Sequence, residues 1–205
     1  MQFRRIVLFL SILTALLVFT HHFGDFIIKA LMPWYEWMIH QIDYRLYKTH
    51  LFIVNIHGEN FLQLEVELSD PIWVGSQEIG LTQPIFNSTG MALANVLQPF
   101  VLIFTIILAW PIKHALDFIY RILGAIPIIM LIMMLDMPIQ LVNNTWQGLE
   151  QTLKLNITTT NLLGYWSDFL NGGGIIAISI TSGLLVVGLV NLIPNKFNVD
   201  SISES

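Results

Sequence analysis

Four apolar segments constrain this chain more than any other feature, at roughly 5–22, 93–112, 121–139 and 174–193. Each approaches the ~20 residues that a helix needs to cross hydrocarbon. The expected fold class is therefore integral membrane α-helical, with four transmembrane helices. Composition agrees. The 205 residues are 55% hydrophobic and 11% charged, and the mean hydropathy of +0.68 is too apolar for a soluble domain of this size. A net charge of -5 argues against nucleic acid as a partner. With no cysteine, disulfides, thiolate metal sites and cysteine nucleophiles are excluded.

The start, "MQFRRIVLFLSILTALLVFTHHFGDF", has the basic residues and apolar run of a signal peptide. However, "VFTHHFGDF" is not a small-x-small cleavage site, so an uncleaved first helix is expected over 1–24. Arg4, Arg5, Lys113, Arg121 and Lys196 all fall on one side if four spans alternate. That side is then cytoplasmic, and both termini are expected on it.

Residues 25–44 place Ile27, Leu31, Trp34, Tyr35, Met38 and Ile42 at helical spacing, with Lys29, Glu36, His40 and Asp43 opposite. This reads as an amphipathic interfacial helix, kinked or restarted at Pro33. The other reading is one long helix that leaves the membrane and continues. Over 45–92 the period changes to two. Leu62, Leu64, Val66 and Leu68 alternate with Gln63, Glu65 and Glu67, and "LFIVNI" precedes them across the turn "HGEN". A hairpin is expected there, in a small extracytoplasmic β-containing insertion. A lone hairpin is marginal, so its apolar face needs a cover, either a further strand from "PIWVGSQEIGLTQPIF" or the amphipathic helix. Spans two and three occupy 93–139. The polar stretch 140–173 is expected as an outer loop with a short helix over 147–155, and 174–205 holds the last span and a cytoplasmic tail.

Few residues suggest chemistry. His22 and Asp25, with His21 beside them, end the first span without any metal-binding signature. Asp136 lies near the outer end of span three, before Pro138, where a satisfied carboxylate is expected in preference to a proton relay. Trp166 and Asp168 flank the last span at the interface. No serine sits in a nucleophile elbow. No catalytic residue, metal site or cofactor is expected.

Gly172, Gly173 and Gly174 precede the last span without a P-loop lysine, so a phosphate cradle is not expected. Within that span Ala177 pairs with Thr181 and Ser179 with Gly183, with Gly188 beyond. Small residues four apart let helices approach closely. The triple glycine is accordingly expected as a flexible, close-packing entry into a helix that meets a partner.

Two stretches, "MALANVLQPFVLIFTIILAWP" and "DFLNGGGIIAISI", open spans after outer segments. Together with the basic start and the four-span plan, the chain resembles the exosortase H-associated membrane proteins. That resemblance implies a small companion of an exosortase, a membrane enzyme that processes C-terminally tagged surface proteins in Gram-negative bacteria. It carries no catalytic residues over, and the exosortase itself uses a cysteine that this chain lacks. The expected role is an accessory or scaffold that contacts lipid and a membrane-protein partner. The alternative is a small transporter or channel subunit. A third is an enzyme on a lipid-linked substrate at the outer interface, built from His22, Asp25, Trp166 and Asp168.

Overall fold

The computed structural model describes residues 2–68, 72–74, 77–79, 85–112, 114–153 and 162–192. Helix α1 (Gln2–Ile42) leads into strands β1 (Leu46–Ile56), β2 (Glu59–Leu68), β3 (Ile72–Val74), β4 (Gln77–Ile79) and β5 (Ile85–Ala92). Then come α2 (Leu93–Val96), α3 (Gln98–Ala109), α4 (Ala115–Leu153), α5 (Leu162–Phe169), a π-type turn (Leu170–Gly174) and α6 (Ile175–Leu192). Three helical stretches, Phe3–Ile42, Ala115–Gln151 and Leu162–Leu192, are long and apolar enough to cross a membrane. The chain is thus built as a mostly helical membrane protein carrying a small sheet.

The first span and the amphipathic segment are one helix of 41 residues, about 60 Å long at 1.5 Å per residue. The second of the two readings holds. Pro33 lacks one amide donor, but side chains beyond it anchor the helix. Tyr35 and Ile39 are fully buried, and the Leu51 amide of β1 donates to Glu36 Oε1 at 2.9 Å. The buried stripe is offset from the expected one, of which Ile27, Leu31 and Ile42 pack partly against the core. It runs through Ile28, Tyr35 and Ile39, while Trp34 and Trp37 stay exposed.

Strands β1, β2 and β5 form an antiparallel sheet with β2 in the centre; β3 and β4 pair separately. The expected hairpin is present, with Leu62 paired to Ile53 and Leu64 to Leu51. His57 and Gly58 both take positive φ, 53° and 90°. That is the two-residue turn that matches strand twist. Leu62, Leu64 and Val66 face the core. The Leu68 side chain, assigned to the same face, lies outside the described residues. Of the two expected covers, the helix is the one that occurs as expected. The amphipathic part of α1 packs on β1, whereas the third strand, β5, overlaps the expected stretch only at Ile85 and Phe86, and β3 and β4 within that stretch pair apart. Glu36 also takes an outward amide of edge strand β1, a group otherwise open to stray pairing.

Span two is shorter than expected. Instead of 93–112, the helix α3 covers 12 residues, about 18 Å. Leu97 turns the chain between α2 and α3, and Trp110 is extended before Pro111. Helix α3 is central, touching α1, α4 and α6. Its last carbonyls are closed from α4. Arg121, 1% exposed, donates from Nη1 to Trp110 O at 3.0 Å and from Nη2 to Pro111 O at 2.9 Å. A cation on C-terminal carbonyls complements the helix dipole.

The described parts of the stretch 140–173 are also helical and not loop. Helix α4 continues through Pro138 to Leu153, because Gln140, Leu141, Val142 and Thr145 stay buried beyond the apolar run. Residues 162–174 are helical again. Residues 154–161 and the tail from 193 lie outside the described residues.

Candidate functional site

The outer part of α1, the β1–β2 turn and α2–α3 enclose a cleft of about 700 Å³. On α1, Gly24 is buried against the α2–α3 corner, where a Cβ would stand 2.7 Å from Leu97 Cδ1. A larger residue at this position would require the Leu97 side chain to turn aside. One residue later, Asp25 points at the hairpin. Asn60 Nδ2 donates to both of its carboxylate oxygens, at 2.9 and 3.0 Å. Asn55 Nδ2 donates to Asn60 Oδ1 at 2.7 Å, and the Gly58 amide donates to Asn55 Oδ1 at 3.1 Å. A string of hydrogen bonds therefore runs from the helix through both strands into the turn and fixes the sheet over the bundle.

This string forms one rim of the cleft, joined by His21, Glu59 and Gln98. The other part of the lining is apolar, with Leu13, Leu17, Leu97 and Val101. Apolar groups thus come from α1, α2 and α3, and polar ones from the hairpin, the middle of α1 and the start of α3. The volume is within the ~300–1,000 Å³ typical of ligand sites.

A second polar junction ties the end of α1 to the extension of α4. Arg45 donates to Asp43 through Nε at 2.9 Å and Nη2 at 2.7 Å, and Trp146 Nε1 donates to Asp43 Oδ2 at 2.9 Å. The Arg45 guanidinium lies 4.4 Å from the Trp146 ring centroid. Burial pushes the Asp43 carboxyl up, but hydrogen bonds and charge from Arg45, with the Trp146 donor, outweigh it and hold the group below the usual carboxylate range. The same carboxylate raises Arg45.

The residues singled out in the sequence do not converge. His22 turns its Nδ1 back to Val18 O at 2.9 Å, and it is His21 that lines the cleft. Asp136 is buried in α4 and accepts a hydrogen bond from Gln140, as a satisfied carboxylate does. Trp166 packs beside Phe169 on α5, and Asp168 is exposed there. Among the described residues, no three His, Cys, Asp or Glu side chains are grouped to hold a metal ion.

The glycines divide by role. Gly173 takes φ 105° inside the turn between α5 and α6, a conformation that a side chain opposes. At Gly174 a Cβ would fall 2.6 Å from Phe169 O, so the chain can close on itself only here. Gly172 has open space around it. The triplet is thus a tight reorientation of the helix path, and the close packing expected of it is found at Gly174, against Phe169 of the preceding turn. Ser179 and Gly183 are buried, and a Cβ at Gly183 would lie 3.1 Å from Ile106 Cβ. This small-residue pair packs on the protein's own α3. Ala177, Thr181 and Gly188 face outward.

Asn55, Asn60, Trp146 and the buried Arg121 were missed from sequence. The turn "NIHGEN", with an Asn on each side of His-Gly, was the one local signal available for the first two. No family model, no curated protein and no solved structure matches the chain.

Proposed function

We propose that this chain is a non-catalytic inner-membrane accessory that holds a membrane partner in the cleft between α1, the β1–β2 turn and α2–α3. One observation carries the reading. The cleft passes from apolar helix side chains to a rim of Asp25, Asn55, Asn60 and Gln98. A segment leaving a membrane presents the same order, apolar and then polar. The resemblance of the FLNGGG segment supplies the partner class, an exosortase-type protein of a surface-protein sorting system.

In this reading the chain crosses four times, α3 is the short second crossing, and both termini are cytoplasmic. Arg5, Trp110 and Asn191 line a common groove, which brings the start of α1 and the ends of α3 and α6 to one end of the bundle. Arg121 binds the carbonyls at that same end. Gathering of basic residues there supports a cytoplasmic assignment. Reporter fusions after Ile85 and Ser205 test it, and a cytoplasmic reporter at Ile85 overturns it.

The partner assignment is tested by photo-crosslinking in cells that co-produce the exosortase. Crosslinkers replacing Leu97 or Asn55 should capture it, and one replacing the exposed Leu123 on α4 should not. Equal capture from all three positions, or none from the cleft, refutes the assignment. A second reading, an enzyme on a lipid-linked substrate, is favoured by one fact: His21 and Asp25 line the same cleft. Under it, His21→Ala would abolish turnover while crosslinking to the exosortase persists.

A further inference from the structure

A second groove, of about 640 Å³, lies at the opposite end of the bundle from the sheet, between the start of α1, the end of α3 and α6. Its walls are Phe9, Ile106, Ala109, Ile180 and Leu184, and its mouth carries Arg5, Trp110 and Asn191. These walls belong to helices apolar enough to sit in a membrane, so acyl chains are the solvent that the groove meets. Arg5 is exposed, and among the described residues no carboxylate lies within ion-pair distance of it. No lining residue is acidic. Trp110 is 44% exposed, as expected for an indole at the headgroup level.

We propose that this groove binds one anionic phospholipid, with an acyl chain along Phe9, Ile106 and Leu184 and the headgroup phosphate on the Arg5 guanidinium. Asn191 supplies a further amide donor at the mouth. Arginine suits this role because its planar fork matches phosphate oxygens. The apolar wall selects a lipid over free phosphate, and the unpaired cation selects an anionic headgroup over a zwitterionic one. A single basic residue near a membrane surface contributes ~1 kcal/mol toward anionic lipid, which is about fivefold in occupancy. The site is independent of the outer cleft and of any protein partner.

The test uses the full chain, delipidated in mild detergent and titrated with phosphatidylglycerol or with phosphatidylcholine of the same acyl chains, with bound lipid counted by native mass spectrometry. Wild type and Arg4→Gln should retain phosphatidylglycerol about fivefold better. Arg5→Gln should bind both lipids equally, and Leu184→Trp, which fills the groove from its exposed rim, should lower both. Glycerol phosphate without acyl chains should not compete. Equal retention of the two lipids by wild type overturns the proposal, as does an Arg5→Gln protein with undiminished preference. Competition by glycerol phosphate would remove the acyl chain from the site. Should Arg5→Gln fail to fold, the wild-type ratio and the Leu184→Trp result still decide.

Discussion

Trp146 reaches across 103 residues of chain to donate its indole N–H to Asp43 at 2.9 Å, and the Arg45 guanidinium that pairs with Asp43 lies over the same indole. The carboxylate thus joins the end of α1, the start of β1 and the extension of α4. Asp43→Asn should destabilise the protein by ~1–2 kcal/mol near neutral pH, the net worth of a charged hydrogen bond. The pH dependence follows from the lowered carboxyl. A depressed folded value adds stability that is fully present above the unfolded value and is lost as pH falls through the folded one. The melting-temperature gap between wild type and Asp43→Asn should therefore hold constant down to about pH 4 and narrow below it. A gap that already closes above pH 5 would assign the effect to another group.

The Asn60–Asp25 pair makes a separate prediction. Asn60→Ala strips the side-chain donor shared by both Asp25 carboxylate oxygens and also frees Asn55 Nδ2. It should cost ~1–3 kcal/mol, because a partly buried carboxylate is left without its donor. Limited proteolysis at the His57–Gly58 turn should quicken several-fold, with the helices untouched. Asp25→Asn, which keeps the shape and the chance of one hydrogen bond, should have the smaller effect. The reverse order would show that the pair does not seat the hairpin.

Close packing of α6 on α3 is measurable at Gly183 and Ile106. A Cβ at Gly183 would lie 3.1 Å from Ile106 Cβ, tighter than most such contacts. Gly183→Leu should destabilise by ~1–3 kcal/mol through overpacking. Ile106→Ala alone should destabilise as well, by leaving a void. Combined, the two should recover part of the loss, with a coupling of at least ~0.5 kcal/mol in a double-mutant cycle read by melting in detergent. Simple additivity would refute direct packing between the two positions.

Leu64 and Glu65 test the sheet's register. Leu64 is 2% exposed on the covered face, and its neighbour Glu65 points the other way. Leu64→Asp puts a carboxylate among Leu62, Val66 and the core side of α1, where nothing pairs with it. It should reduce the accumulated protein in the membrane several-fold, with Glu65→Ala close to wild type. Quantitative immunoblotting of membrane fractions separates them, and equal losses would contradict the register.

The sequence by itself determined the local patterns. Apolar length marked the membrane helices around Leu8, Ile129 and Val186, and strict alternation marked Leu62, Leu64 and Val66 as one strand face. "HGEN" marked the turn, because His57 and Gly58 needed no distant contact to take positive φ. Each of these is set by a residue and its near neighbours. Tertiary structure decided where helices end and which faces they bury. Helix α4 runs to Leu153 because Thr145 and Trp146 are held by the core and by Asp43, not because residues 140–153 are apolar. Pro33 leaves α1 continuous because beyond it Tyr35 and Ile39 are buried in the core and Glu36 is bonded to β1. The stripe of Ala177 and Thr181 faces outward while Ser179 and Gly183 are buried, Gly183 against Ile106, although their spacing is the same. Spacing within one helix sets which residues share a face, and only the position of the other helices selects the face that is buried.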